Sequence, residues 1–265
     1  MQRVRSRAGV VVTGTEVLTG RVVDRNGPWL AEQLRQLGVD IAHTVVVGDR
    51  PDDLRAALRF LAEQGLDLVL TSGGLGPTAD DLTAQVVGEF QGRPSRLDAQ
   101  LEEHIGAIID RLSAGRGWRL DPAATAAGTR KQALVPEGAT VIAPVGTAPG
   151  LIVPPPAGRA GPPVVVLPGP PRELQGMWPA VLADATVQAA LAARTELRQE
   201  TIRLWGTPES ELAATLRELG DALTDLEITT CLRDGELEIV TRFAPAAQRA
   251  YDALGMALAE RYPDT

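Results

Sequence analysis

Asp80 and Asp81 are adjacent carboxylates that follow closely on Gly73, Gly74 and Gly76 in the stretch LDLVLTSGGLGPTADDLT, residues 66–83. Glycine turns let a backbone approach a ligand because no Cβ intervenes. Main-chain N–H groups at a strand-to-helix turn are a natural seat for phosphate. Two carboxylates beside such a seat would repel an anion unless a divalent cation stood between them, so the pair reads as a metal–phosphate site. The same junction also occurs without a ligand, its acidic first turn merely complementing the helix dipole. The surrounding elements position the pair. Leu68, Val69 and Leu70 form the continuous apolar run of a strand covered on both faces. Pro77 stiffens the exit, and Thr78 is the expected N-cap of a helix carrying Val86, Val87 and Phe90 on one face. Asp81 then falls where a carboxylate reaches back to free backbone N–H groups.

Earlier segments supply the rest of the rim. Ala8 to Val12 is a first buried strand that runs into Thr13, Gly14, Thr15 and Glu16. A helix follows from Asn26, with Pro28 in its first turn, Leu30, Leu34 and Leu37 on one face, and Gly38 as terminator. Val39 to Val47 is the second strand, ending in Gly48 and Asp49. A helix from Asp52 or Asp53 buries Leu54, Ala57, Leu58 and Leu61 and closes near Gly65. This β-α-β-α-β-α alternation implies a mostly parallel sheet with helices on both faces. Right-handed crossovers bring the loops after the strands to one edge, where ligands bind. Thr13 to Glu16, Asp49 and the Gly73 to Asp81 loop are expected to meet there. Asp49 itself serves either as a turn residue before Arg50-Pro51 or as a functional carboxylate.

Leu97 to Leu112 is an amphipathic helix, and residues 115–128 read as a flexible turn plus a small-residue helix. Val164 to Leu167 is another buried strand, ending in Pro168-Gly169-Pro170-Pro171-Arg172-Glu173 before a helix. Arg172 either pairs with an acid such as Glu173 or holds a phosphate. Beyond about Ala185 the pattern changes. Gln199 to Trp205 is an alternating strand, Pro208 to Leu219 a helix, and Leu226 to Leu232 with Glu236 to Phe243 a hairpin through Asp234-Gly235. A last helix runs from about Pro245 to Arg261.

GGLGPTADDLT resembles the signature of the CinA family (competence/damage-inducible protein A). It is also similar to the GG-T-G…R-D-x-T loop of the molybdopterin-binding MogA/MoaB proteins. The resemblance continues in GTRKQALVPEGATVIAPVGTAPG, where Arg130, Lys131, Gln132 and Ala133 and the run Gly146 to Gly150 match, and in L-P-G-x-P-x-E at Leu167 to Glu173. Thr129 and Ala143 depart from it, standing where many members carry Asn. The implied fold is a three-layer α/β/α molybdopterin-binding-like domain with a mostly parallel sheet over residues 1–185. A small KH-like α+β domain over residues 186–265 follows. In MogA-like proteins one Asp after the second strand and one in the glycine loop are the functional carboxylates, and those positions match Asp49 and Asp81. Asp80 stands where the MogA loop carries Arg. Asp-Asp at this point is a CinA feature that favours metal binding over direct phosphate pairing by a guanidinium.

The activity the resemblance implies is metal-dependent hydrolysis of the diphosphate of ADP-ribose or a related nucleotide. Asp49, Asp80 and Asp81 are the expected catalytic and metal-holding residues, with Mg²⁺, Mn²⁺ or Co²⁺ as cofactor and the general base open among the three. The expected substrate-binding residues on the first loops are Thr13, Gly14, Thr15, Glu16 and Asn26. On the organising loop they are Ser72, Gly73, Gly74, Gly76, Pro77 and Thr78. Lys131, Gly146, Thr147, Pro168 and Gly169 complete the set. Lys131, the chain's only lysine, either neutralises a diphosphate or is a solvated cation. The alternatives are adenylyl transfer to molybdopterin, or related chemistry of molybdenum-cofactor assembly, and a non-catalytic nucleotide- or pterin-binding module. Many family members continue into a nicotinamide-nucleotide deamidase domain, which these residues do not include, and that activity is not expected of them.

Composition bounds the partners. Over 265 residues the net charge is −8 and aromatic residues make up 3%. A nucleic-acid groove needs basic charge and stacking platforms, so none is expected. The KH-like module lacks a GXXG loop, having Gly206-Thr207-Pro208-Glu209 between its first strand and helix; packing or homodimerisation is its expected role. The lone Cys231 excludes an intrachain disulfide framework and suits a reducing compartment. His43 and His104, the only histidines, argue against a His/Cys zinc site. No apolar run reaches membrane-spanning length and the N-terminal apolar stretch is too short for a signal peptide. A cytoplasmic location with no membrane partner is expected.

Overall fold

A computed structural model describes residues 5–116 and 119–263. The chain divides into two compact units, the first reaching Arg194 and the second starting at Thr195, with Gln36–Gly38 grouping with the second. The expected boundary at 185/186 thus differs from this division by one short helix, Ala185–Ala190.

The first unit begins with β1 (Arg7–Thr13), the short α1 (Thr15–Leu18), α2 (Asn26–Gln36), β2 (Asp40–Val47), α3 (Pro51–Glu63), β3 (Leu68–Ser72) and α4 (Thr83–Gln91). There follow β4 (Ser95–Leu97), α5 (Ala99–Arg116), α6 (Pro122–Gln132), β5 (Leu134–Pro136), β6 (Thr140–Ile142), β7 (Gly150–Val153), β8 (Val164–Leu167), α7 (Pro171–Ala183) and α8 (Ala185–Ala190). The main sheet has six strands in the order β2-β1-β3-β8-β7-β6. β2, β1, β3 and β8 pair in parallel, while β7 and β6 close the far edge antiparallel. The run Gly146 to Gly150 forms the end of the connection between these two strands, with Gly150 opening β7. The turn expected over 115–128 falls partly on residues 117–118, outside the described residues; α6 follows it, capped by the Asp121 carboxylate, which accepts the Ala124 N–H at 2.7 Å.

The three layers follow from what the strands bury. β3 and β8 are buried at every position, as their unbroken apolar runs require with cover on both faces. Val11, Val69, Leu151, Val153, Val164 and Val166 point to one face, against Leu54, Leu58 and Leu61 of α3, Val86 and Val87 of α4, and Leu101 and Ile105 of α5. The alternate residues face the other side, where Gly27 of α2 sits against Val12 and Met177 of α7 lies near Leu167 across Gly150. Trp29 and Trp178 join α2 to α7 edge to face, their rings 5.8 Å apart.

The second unit is a three-stranded antiparallel sheet, β9 (Arg198–Trp205), β10 (Leu226–Arg233) and β11 (Glu236–Phe243), ordered β10-β11-β9, with α9 (Glu209–Leu219) and α10 (Gln248–Arg261). Its β-α-β-β-α order is the expected one. Asp234 and Gly235 both take positive φ, 51° and 84°, as a two-residue hairpin turn demands. Leu204, Leu212, Leu237, Ile239, Leu254 and Leu258 form its own core.

Candidate functional site

Because β1, β2, β3 and β8 run parallel, their C-terminal ends share one rim of the sheet. A cleft of about 330 Å³ opens there. It is lined by Thr13, Gly14 and Glu16 after β1, by Asp49 after β2, and by Gly73 to Gly76 with Asp80 and Asp81 after β3. Pro168, Gly169, Pro170 and Glu173 after β8 close it, with Thr147, Ala148 and Gln132. Asp49 and Asp81, far apart in sequence, therefore face one cavity.

The loops are clipped together at the backbone. Gly14 N–H donates to Val47 O at 3.1 Å, and Gly73 N–H to Leu167 O at 3.0 Å. Thr15 N–H donates to the Asp49 carboxylate at 2.8 Å, while Asp49 N–H donates to Thr15 Oγ1 at 3.2 Å. Thr13 Oγ1 donates to Ser72 O at 3.2 Å. Asn26 Nδ2 donates to Ser72 Oγ and to Gly169 O, both at 2.7 Å, tying α2 to the ends of β3 and β8. Gly73 has φ of +106°, and a Cβ there would run into the Thr13 carbonyl. Only glycine holds both that conformation and that approach.

Asp80 and Asp81 belong to a turn that precedes the helix. Asp81 Oδ2 accepts Thr78 N–H at 2.9 Å and Thr78 Oγ1–H at 2.5 Å, and Asp81 N–H donates to Thr78 O at 3.1 Å. The reach-back expected of a capping box is present, yet α4 starts at Thr83 with Leu82 as N-cap. Thr78 is thus not the N-cap: the turn it closes with Asp81 consumes the residues that would have been the first helical turn. Hydrogen bonding from Thr78, then from its own backbone N–H, and the charge of Lys131 hold the Asp80 carboxyl below its ordinary value. Burial pushes the Glu173 carboxyl the other way, above the usual glutamate value.

The family described as probable molybdopterin binding domain matches residues 9–188. A CinA-like protein of Mycolicibacterium gilvum is 59% identical over 94% of this chain and 58% of its own length. A CinA-like protein of Mycobacterium tuberculosis is 56% identical over 98% of this chain and 60% of its own length. The solved structure of CinA from Thermoplasma acidophilum, described there as of unknown function, is 32% identical. It aligns with a TM-score of 0.54 over 68% of this chain and 97% of that one. The chain belongs to the CinA family. It spans about three fifths of the length of the curated relatives it matches.

Within this CinA-family chain, several residues read as substrate-binding lie around the cleft and do not line it. Lys131 Nζ donates to the Thr78 carbonyl and braces the loop from behind, in a recess that Asp81 also lines. Pro77 packs against Gly128. Asn26 and Ser72 line the adjoining recess, and Gly146 underlies Glu173, whose carboxylate a Cβ there would strike. Thr129 and Ala143, the two departures from the family pattern, do not line the cleft either. Of the three glycine N–H groups expected to hold phosphate, that of Gly73 is already bonded to Leu167 O; those of Gly74 and Gly76 make no such bond among the described residues.

The carboxylates do not form a closed metal cage. Among the described residues no three His, Cys, Asp or Glu side chains lie close enough to hold an ion. The ligand set expected from the sequence is not preassembled because Asp49 is turned toward Thr15 and Asp81 toward Thr78. The acidic oxygens facing the cleft fit a hard ion that keeps most of its waters and completes its shell from phosphate oxygens, as Mg²⁺ does. Leu75, Gln132, Ala148, Pro170 and Glu173 are the cleft residues passed over in sequence. In sequence Glu173 read as the end of the L-P-G-x-P-x-E run and a possible partner of Arg172, and only the packing of its first turn against Gly146 brings it to the cavity.

Proposed function

We propose that the first unit hydrolyses the diphosphate of ADP-ribose or a related nucleotide in a divalent-metal-dependent reaction. The observation that carries the reading is the meeting of Asp49, Asp80 and Asp81 with the Gly73–Gly76 loop in one cleft. When bound, a divalent ion supplies Lewis-acid neutralisation of the phosphate oxygens. Asp49, Asp80 and Asp81 would hold it through its coordinated waters, and hydrogen bonding from Thr78 and the charge of Lys131 favour the Asp80 anion. The N–H groups of Gly74 and Gly76 seat a phosphate. Glu173, whose burial favours the proton, accepts one from water as the new P–O bond forms. The bridging oxygen leaves with the other phosphate, giving AMP and ribose 5-phosphate.

Incubation with ADP-ribose and Mg²⁺, Mn²⁺ or Co²⁺ is expected to release those two products. Asp81→Asn is expected to abolish release while leaving the melting temperature within a few degrees, since an amide oxygen still accepts the Thr78 N–H. Full activity in that variant sinks the metal–phosphate reading. Asp49→Asn is expected to lower the rate alongside it.

The family's description as a probable molybdopterin binding domain is the ground for a second reading, in which molybdopterin is the ligand and adenylyl transfer to it would use the same carboxylates. ATP and molybdopterin in place of ADP-ribose, with diphosphate release as the signal, separate the two. We place the protein in the cytoplasm, where the exposed thiol of Cys231 stays reduced.

A further inference from the structure

In the second unit β11 holds the middle of the sheet, and β10 is an edge: no other strand of the described residues pairs with it. Proteins blunt such edges with proline, lysine or a bulge, because an open edge is a template for another strand. β10, LEITTCLR, carries neither proline nor lysine, and its register with β11 runs unbroken from Leu226–Phe243 to Arg233–Glu236. Its two faces differ. Ile228, Thr230 and Leu232 share the core face, since Leu232 stands opposite the buried Leu237. Leu232 is nevertheless 56% exposed, and Ile228 is covered only in part. Glu227, Thr229, Cys231 and Arg233 are exposed on the outer face.

The strand is its own complement. A two-fold axis through an antiparallel pair keeps opposed residues on one face, so the residue on the axis fixes every pairing. With Thr230 on the axis, Glu227 faces Arg233 of the second copy, Ile228 faces its Leu232 and Thr229 its Cys231, and each pair occurs twice. Opposite charges and apolar side chains are the favourable pairs at directly opposed positions. Within one chain Arg242 already contacts Glu227 at 3.3 Å, and Arg233 is paired across the strands with Glu236. A second copy continues this alternation of sign across the outer face and covers the exposed Leu232. β9, the other edge, offers no such match: its central registers set Glu200 against its own copy, Arg198 against Leu204, or Glu200 against Leu204.

We propose that β10 pairs antiparallel with β10 of a second copy of this chain about an axis at Thr230, joining two three-stranded sheets into one. An unrelated strand would place no demand on Glu227 and Arg233 to lie equally far from Thr230, whereas self-pairing does. With Thr229 on the axis instead, Glu227 would face Cys231, and Arg233 would need Asp225, which lies before the strand.

Sedimentation equilibrium of the intact chain under reducing conditions is expected to show a monomer–dimer equilibrium in the micromolar range. Leu232→Lys puts a cation on the edge at an exposed position and is expected to raise the dimer dissociation constant at least tenfold. Cysteine pairing reads the register without relying on that variant. Thr229→Cys sets a thiol directly opposite Cys231 of the second copy, with Cα atoms about 4.5–5.5 Å apart, inside the disulfide range of about 4.4–6.8 Å. The two native Cys231 thiols would stand diagonally, with Cα atoms about 7–8 Å apart, out of reach of each other. Mild oxidation is therefore expected to link Thr229→Cys into a covalent dimer and to leave the parent unlinked. Adding Cys231→Ser to Thr229→Cys should abolish the link. A chain that stays monomeric through the micromolar range overturns the proposal, as does a dimer that Leu232→Lys leaves intact. A link that survives Cys231→Ser overturns the register.

Discussion

Glu173 and Asp80 line one cleft and their carboxyls are driven in opposite directions, Glu173 upward by burial and Asp80 downward by Thr78, its own backbone N–H and Lys131. Carboxyls split in this way divide the work of a base from that of a permanent anion. A base must be ionised, so the rate is expected to fall as pH drops through the raised Glu173 value, above where an ordinary glutamate titrates. Glu173→Gln should remove that acid limb from the kcat/KM profile and lower the rate at least a hundredfold. Stability gives an independent sign. The folded chain binds the Glu173 proton more tightly than the unfolded chain, so this group destabilises the fold in full above its folded pKa, and the effect fades as pH falls from there to the unfolded value. Glu173→Gln is therefore expected to melt slightly higher than the parent at pH 7, with the gap closing toward pH 4. A lower melting temperature for the variant at pH 7 contradicts the assignment.

The loop from Gly73 to Leu82 shows at the level of an element why its glycines differ. Gly73 combines a φ of +106° with a backbone carbonyl where a Cβ would stand, so Gly73→Ala is strained in two ways at once. A loss of about 2 kcal/mol is expected, read as a lower urea midpoint at unchanged slope. Gly169 lies across the same cleft with φ outside the positive range, and a Cβ there would approach Gly73 Cα no closer than 3.7 Å. Gly169→Ala should leave the urea midpoint unchanged while crowding the substrate. The turn built by Thr78 and Asp81 also explains the late start of α4. Sequence spacing foretold the reach of Asp81 back to Thr78. It did not foretell that this bond would close a separate turn, because a capping box and an isolated turn share the same local pattern.

Across the whole chain, each of the two units has its own hydrophobic cluster, one around Val11, Leu58 and Val164 and one around Leu212, Leu237 and Leu254. Separate cores favour separate transitions. Calorimetry is expected to resolve two melting steps, with magnesium pyrophosphate raising only the one belonging to the first unit. No helix of the described residues is long and apolar enough to cross a membrane. The unbroken apolar runs of β1, β3 and β8, the β-α alternation and the Asp234-Gly235 turn were legible in the sequence, since each is a local consequence of side-chain period or backbone freedom. So were the carboxylates at the strand ends, because parallel crossovers leave those ends on one edge. The antiparallel β6–β7 edge was not legible, its strands being too short to impose a period. Nor was the place of Lys131 behind the loop, or the arrival of Glu173 beside Gly146. Each of these depends on which distant backbone a side chain meets, and only the packing of the layers decides that.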